Sequence, residues 1–407
     1  MEDPDEGGRM VTIEQNPVVP MDFDRLAEAL VSGVGCTADS ELLLMKRALG
    51  AEANEKDFQA IQEQIRLCLK EVKRLLRGGQ IRPWQRVRLD PHETLPEQQS
   101  PGERPLRLGF LPTAANPLHW MHLLSGLSAI WHFHLDKVIY ILAGNDPRKR
   151  DLPAAVVRHR MGREVLRAFS PFLEYSPISL ESSLPGEVNV FRLLQLNAGQ
   201  RIQAFYLAGT DHCRRFNPET TEPDTIQRLE DGVRTKLYGF DERRHHLSVI
   251  FLDRGDPVPP VDTFLDVLRI DRLPLGMSST RIRDAIGGRS SPRVLAGIPF
   301  TVFSTIRTLG LYGGARPPIG ERAQVAVAPR RVEGAGTVEQ PMAAYGHRTL
   351  TVPSAGYSHA VPSISFGVKP AGLSEQEGME SEANLPFEAE PTDRSTESLV
   401  GCNARNA

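Results

Sequence analysis

From Leu106 onward, short apolar runs alternate with helix-like segments, and no other feature of this 407-residue chain constrains its fold as strongly. The runs LRLGFL, KVIYILAG, FYLAG and LSVIFL are interleaved with WMHLLSGLSAIW, AAVVRHRMGREVLRAF and STRIRDAI. Strand and helix in turn imply parallel strands joined by crossovers, and therefore an α/β fold with helices on both faces of one sheet. Sheets of this kind bind ligands beyond the carboxyl ends of their strands. His119, His122 and Asp211 all fall at such ends.

The flanking regions read differently. Residues 1–20 are acidic and contain Gly and Pro, and are expected to be disordered. Residues 21–90 hold helix-like segments, MDFDRLAEALVSG and FQAIQEQIRLCLKEVKRLLRG. In the second, Ile61, Ile65, Leu69, Val72 and Leu76 recur at three- and four-residue steps, which predicts one apolar face packed on a core. A docking element is the alternative reading of that face. Pro91, Pro96, Pro101 and Pro105 in a polar setting mark residues 91–105 as a linker. The domain proper spans 106–314, and residues 315–407, rich in Gly, Pro, Ser, Ala and Glu, are expected to form a disordered tail.

Bulk composition excludes several classes. A formal net charge of −3 offers no general attraction to nucleic acid or an anionic membrane, so anion binding must come from a local site. No apolar run approaches the roughly 20 residues that span a bilayer, and MEDPDEGG lacks a secretion-signal pattern, so a cytoplasmic location is expected. Cys36, Cys68, Cys213 and Cys402 are scattered, which argues against a disulfide framework or a zinc finger. Oligomeric state is left open.

Two segments look built for phosphates. In NPLHWMH, 116–122, the reading places Asn116 as helix cap and Pro117 at the first helical position, with the helix running from Leu118 through Ala129. His119 and His122 then share a face beside backbone N–H groups that have no intrahelical partner, a place that favours anions. In SSTRIR, 278–283, Ser278, Ser279 and Thr280 suit a helix start, with Arg283 within one turn. Hydroxyls, amides and a guanidinium there could clasp phosphates, although a simple capping box reads the same residues.

Together these motifs resemble the two signatures of the HxGH-type nucleotidyltransferase superfamily, and most closely those of nicotinamide and nicotinate mononucleotide adenylyltransferases. Further matches follow in the family's order. AGNDPRKR at 143–150 resembles its basic loop, with Lys149 in the basic position; FYLAGTDHCRRF at 205–216 resembles the strand ending in Gly-x-Asp, here Gly209 and Asp211. VIFLDRG at 249–255 and IPFTVFSTIRTLGLYG at 298–313 resemble the next strand and the closing helix. The likeness covers roughly half the chain and implies a Rossmann-like fold. Two departures stand out. Residues 112–115, Pro-Thr-Ala-Ala, replace the glycine and serine that usually precede Asn-Pro, and Met121 replaces the glycine between the histidines. A charged, insertion-like run, PETTEPDTIQRLEDGVRTKLYGFDERRHH, also separates Asp211 from the next strand.

The resemblance implies transfer of AMP from ATP to nicotinamide or nicotinate mononucleotide, with release of pyrophosphate. Such chemistry needs positioning and electrostatic stabilisation rather than a protein nucleophile. His119, His122 and Arg283 take the catalytic roles, Asn116, Lys149, Ser278, Ser279 and Thr280 hold ATP phosphates, and Gly209 and Asp211 meet the nucleotide. Trp120 is expected to fill core. ATP is then a substrate, and Mg2+ is held mainly by its phosphates and water, with no protein metal ligand. A zinc reading of the histidines fails on spacing: the pair is HxxH rather than HExxH, and His132, His134 and His159 fall on strand-like or unrelated helical segments. Two alternatives remain: a cytidylyltransferase-like enzyme with another phosphorylated acceptor, and a non-catalytic nucleotide-binding scaffold.

Overall fold

A computed structural model of the chain describes residues 22–93, 104–145, 152–212, 216, 222–253, 261–270 and 277–313. The expected disorder of 1–20 and 315–407, and most of the expected linker, lie outside the described residues.

The sheet has six parallel strands: β1 (Leu106–Thr113), β2 (Lys137–Leu142), β3 (Leu173–Ser176), β4 (Ile202–Gly209), β5 (His245–Leu252) and β6 (Asp266–Ile270). Their spatial order is β3-β2-β1-β4-β5-β6, so the order reverses between β1 and β4. A crevice is expected at that switch point. In β2, Val138, Tyr140 and Leu142 face one apolar cluster while Ile139 and Ile141 face another. Both faces are covered, which explains why β2 reads as an unbroken apolar run.

On one face lie α1 (Phe23–Leu49), α2 (Glu55–Arg77), α3 (Trp120–Phe133), α4 (Ala155–Arg167), α7 (Ser279–Ile286) and α8 (Phe300–Leu309). On the other lie α5 (Gly186–Leu196) and α6 (Thr225–Arg234). The fold is Rossmann-like, as the alternation requires. Two strands and two helices were not anticipated. β3 and β6 are the sheet's edges, and their sequences LEYS and DVLRI are too short and polar to show a period. α6 lies within the charged insertion-like run, where only Ile226, Leu229 and Val233 supply apolar burial.

The N-terminal helices pack on the sheet domain. Ile61, Ile65, Leu69, Val72 and Leu76 of α2 are all buried, and α2 lies against α3, where Cys68 Sγ sits 3.6 Å from Ser128 Oγ. Burying such a side chain contributes about 2 kcal/mol. Glu41 of α1 reaches the first turn of α8 and accepts hydrogen bonds from the Thr301 N–H at 2.8 Å and its hydroxyl at 2.5 Å. This carboxylate satisfies an orphan donor and complements the helix dipole, in place of a side-chain cap that Pro299 cannot provide.

The helical region ends at Arg77 rather than extending to residue 90. Gly79 turns the chain at φ +63°, and Pro83 forbids resumption of the helix. The following strap is tied to the sheet's lower rim by the fully buried Asp136, which accepts from the Arg82 N–H at 2.6 Å, the Arg104 guanidinium at 2.7 Å and the Arg107 N–H at 2.9 Å. His132 and His134 belong to the end of α3, His134 as a left-handed C-cap, and not to a strand. No helix among the described residues is long and apolar enough to cross a membrane.

Candidate active site

The turn between β1 and α3 is built by residues whose side chains face inward. The Thr113 hydroxyl oxygen accepts from the Ala115 N–H at 3.2 Å, and Ala115 takes φ +46°, a left-handed conformation that an alanine adopts at a cost of roughly 1–2 kcal/mol. The Asn116-Pro117 peptide is cis. Asn116 does not cap the helix. Its side-chain oxygen accepts from the Tyr312 hydroxyl at 2.7 Å, and the chain must finish reversing before a helix can start. The cap is His119, at φ −143° and ψ 169°, and α3 begins at Trp120, whose indole is fully buried in the core.

His119 and His122 meet at this helix start, with ring centroids 3.8 Å apart. The His119 N–H donates to His122 Nδ1 at 3.2 Å. That bond assigns the proton of a neutral His122 ring to Nε2, so the ring carries a donor directed away from the helix backbone. The fully buried Tyr140 fixes the first turn from below, its hydroxyl donating to the His122 carbonyl at 2.7 Å. Burial pushes the Tyr140 phenol well above its ordinary pKa, so it remains a donor.

The second motif docks on the same turn from some 160 positions away in sequence. Ser278 caps α7 by accepting from the Arg281 N–H at 3.2 Å. Ser279 donates to the Pro117 carbonyl at 3.3 Å, and Arg283 donates to the Asn116 carbonyl at 2.7 Å and to the Thr280 hydroxyl at 3.1 Å. Tyr312 completes the joint, its pKa pushed up to about 12 by burial.

Arg158 of α4, 1% exposed, ties this turn to its neighbours. It donates to the carbonyls of Ala114 at 3.0 Å, Gly144 at 2.7 Å and Pro153 at 2.9 Å. The β1–α3 turn and both ends of the β2–α4 connection thus hang on one planar fork.

A cleft of about 680 Å3 opens at the carboxyl ends of the central strands. His119, His122 and Ser125 form one wall, and Pro112, Tyr206 and Gly209 lie at its floor. Glu187, Asn189, Thr225 and Arg228 from α5 and α6 form the opposite wall, which sequence reasoning missed. Its one signal was Asp224-Thr225 ahead of an amphipathic stretch, where Asp224 caps α6. Ser279 and Arg283 grip the histidine-bearing turn at Pro117 and Asn116, Thr280 braces Arg283, and none of Asn116, Ser279, Thr280 and Arg283 lines the cleft. Gly209 ends β4 and Asp211 follows in a 3-10 turn. The Asp211 side chain and Lys149 lie outside the described residues. Among the described residues no group of three or more His, Cys, Asp or Glu is arranged to hold a metal. A second groove, of about 770 Å3, lies at the amino ends of the strands, away from both motifs.

No family model matches the chain. Curated relatives do. A probable nicotinate-nucleotide adenylyltransferase of Moorella thermoacetica is 26% identical over 211 residues, covering 51% of this chain and 93% of that protein. One from Clostridium botulinum is 25% identical over 219 residues, covering 51% and 98%. Among solved structures, Plasmodium falciparum nicotinic acid mononucleotide adenylyltransferase complexed with NaAD aligns at a TM-score of 0.39 and 12% identity, over 52% of this chain and 100% of that one.

Proposed function

We propose that this chain, a nucleotidyltransferase-superfamily member by its motifs and relatives, transfers AMP from ATP to nicotinamide or nicotinate mononucleotide. The observation that carries the reading is the meeting of the two distant motifs on one turn: His119 and His122 at the start of α3, with Ser279 and Arg283 locked to the carbonyls of Pro117 and Asn116 and the Thr280 hydroxyl accepting from Arg283.

The reaction forms one P–O bond and breaks another. An oxygen of the mononucleotide phosphate attacks the α-phosphorus of ATP, the bond to the bridging oxygen breaks, and pyrophosphate leaves. Charge builds on the oxygens of the transferring and departing phosphates, so donors fixed in advance lower the barrier. His122 supplies such a donor at Nε2, with its orientation set by the His119 N–H and its helix turn held by Tyr140. His119 stands beside it on the phosphates. Arg283 spends two of its five N–H donors on Asn116 and Thr280, which orients the planar group and leaves others for the β- and γ-phosphates. Lys149 on the basic loop is assigned to the same phosphates, and Asp211 to the nucleotide. ATP enters as its magnesium complex. Imidazoles, hydroxyls and a guanidinium suit phosphate oxygens, and the ion itself rides on the phosphates and water.

The test is pyrophosphate release by the purified full-length chain with ATP and magnesium, offering nicotinamide mononucleotide and nicotinate mononucleotide separately. Release is expected with at least one acceptor, with kcat falling about 10²- to 10³-fold in His122→Ala, the usual cost of one transition-state donor. ATP affinity should change far less. Silence with both acceptors while ATP still binds would refute the proposal.

A further inference from the structure

We propose that Glu187 and Arg228 form a pair that reads the acceptor and favours a mononucleotide whose ring carries a neutral amide over one whose ring carries a carboxylate. The inference rests on the adenylyltransferase reading above. Polar side chains line the cleft on two sides. His119, His122 and Ser125 occupy the first, which that reading gives to phosphates; Glu187, Thr225 and Arg228 occupy the second, which is left for the acceptor's ring.

Glu187 sits in the first turn of α5 and is 5% exposed. Its helix is seated directly on β1: a Cβ at Gly186 would come within 2.4 Å of Pro112 Cβ, which brings Glu187 to the border of the cleft floor. The Thr225 hydroxyl donates to Glu187 Oε1 at 2.8 Å, the buried Tyr206 hydroxyl also bonds the carboxylate, and Arg228 lies 3.9 Å from the same Oε1. The positive charge of Arg228 is therefore matched within the protein before any ligand arrives.

The chemistry of the two acceptors then decides between them. A carboxylate group has acceptors only, as does Glu187, and two carboxylates in a poorly solvated wall repel. An amide offers an N–H2 donor to the lone pairs that Thr225 and Tyr206 leave unused, and adds no charge. The pyridinium ring is itself cationic, and an acidic neighbour complements that charge. Arg228 is the guanidinium a ring carboxylate would need on this wall, where His212 also lies, 3.3 Å from the Thr225 hydroxyl, and Glu187 stands within ion-pair distance of Arg228. Neutralising Glu187 should release it.

The experiment measures kcat/KM for nicotinamide mononucleotide and nicotinate mononucleotide, and KM for ATP, in the full-length wild type, Glu187→Gln and Arg228→Gln. The wild type should prefer the amide acceptor by about tenfold or more, and Glu187→Gln should move the ratio about tenfold toward the carboxylate acceptor, within the range that one pocket contact supplies. Arg228→Gln should retain the amide preference. An unchanged ratio in Glu187→Gln, a wild type that prefers the carboxylate acceptor, or an effect confined to the KM of ATP would overturn the inference. Turnover of neither acceptor would instead remove the adenylyltransferase reading. The ratio of Kd values for the two mononucleotides, measured by calorimetry on the same three proteins, would then judge the pair by the same criterion.

Discussion

Lowering the pH from 7.5 to 5 should cost this protein about 2 kcal/mol through one side chain, His159. The ring lies between α4 and the sheet, 2% exposed, with Nδ1 2.7 Å from the Tyr175 hydroxyl and Nε2 3.2 Å from the Ala143 carbonyl. Both contacts suit a neutral imidazole: Tyr175 donates to Nδ1, and Nε2–H donates to Ala143. Burial pushes the His159 pKa from 6.5 down to about 4. In the unfolded chain the ring regains its ordinary value, so below pH 6.5 the unfolded state binds a proton that the native state refuses. Stability is then lost as pH falls from about 6.5 toward 4. With roughly 1.4 kcal/mol per pH unit, the loss reaches about 2 kcal/mol at pH 5. Urea unfolding followed by tryptophan fluorescence, with the fully buried Trp120 as reporter, would measure it in wild type and His159→Gln at both pH values. The static cost of the substitution appears at both and cancels. The wild type should lose about 2 kcal/mol more than the variant on acidification. Equal losses would refute the reasoning and turn attention to His245, whose buried ring nitrogens have no hydrogen-bond partner among the described residues and whose pKa burial also lowers.

Two further outcomes follow from packing. Arg158→Met should destabilise by about 3 kcal/mol or more, because three carbonyls lose their shared donor in a buried site, and Arg158→Lys should recover little of it, since an ammonium cannot span Ala114, Gly144 and Pro153; a thermal midpoint for the lysine variant equal to wild type would contradict this. Gly232→Ala should place a Cβ 2.3 Å from the Phe191 ring, and overpacking of about 1–3 kcal/mol should outweigh a helix-propensity gain of about 1 kcal/mol. The push separates α6 from α5, so KM for the mononucleotide should rise with the loss of stability, which steady-state kinetics beside denaturant titration would detect.

What the sequence made legible follows from where each residue's energy comes from. The strands at the sheet's centre and the buried stripe of α2 repeat an apolar pattern over many residues, because many side chains face the same core. The histidine and SSTRIR motifs were legible as motifs, yet their joint was not: Ser279, Arg283 and Tyr312 bond to the carbonyls and side chain of residues 116–117, contacts between segments far apart in the chain. The helix start was misplaced for the same reason. Asn116 followed by Pro117 has the local form of a cap, but Tyr312 takes the Asn116 side chain and moves the cap to His119.

The missed wall of the cleft exposes a different limit. α5 begins at Pro185-Gly186 with no side-chain cap, so nothing local marks Glu187 as the inward-facing residue of a helix start. Its burial depends on three separate chain segments: Pro112 beneath Gly186, Tyr206 on β4, and Thr225 on α6. Phosphate recognition needs backbone amides at a helix start with a few hydroxyls and cations, so it leaves short signatures in sequence. Recognition of an acceptor ring needs one surface assembled across a topological switch point from strands and helices on both of its sides. The proposed phosphate site is thus readable from segments of seven and six residues, whereas the proposed acceptor wall exists only once β1 and β4 lie side by side.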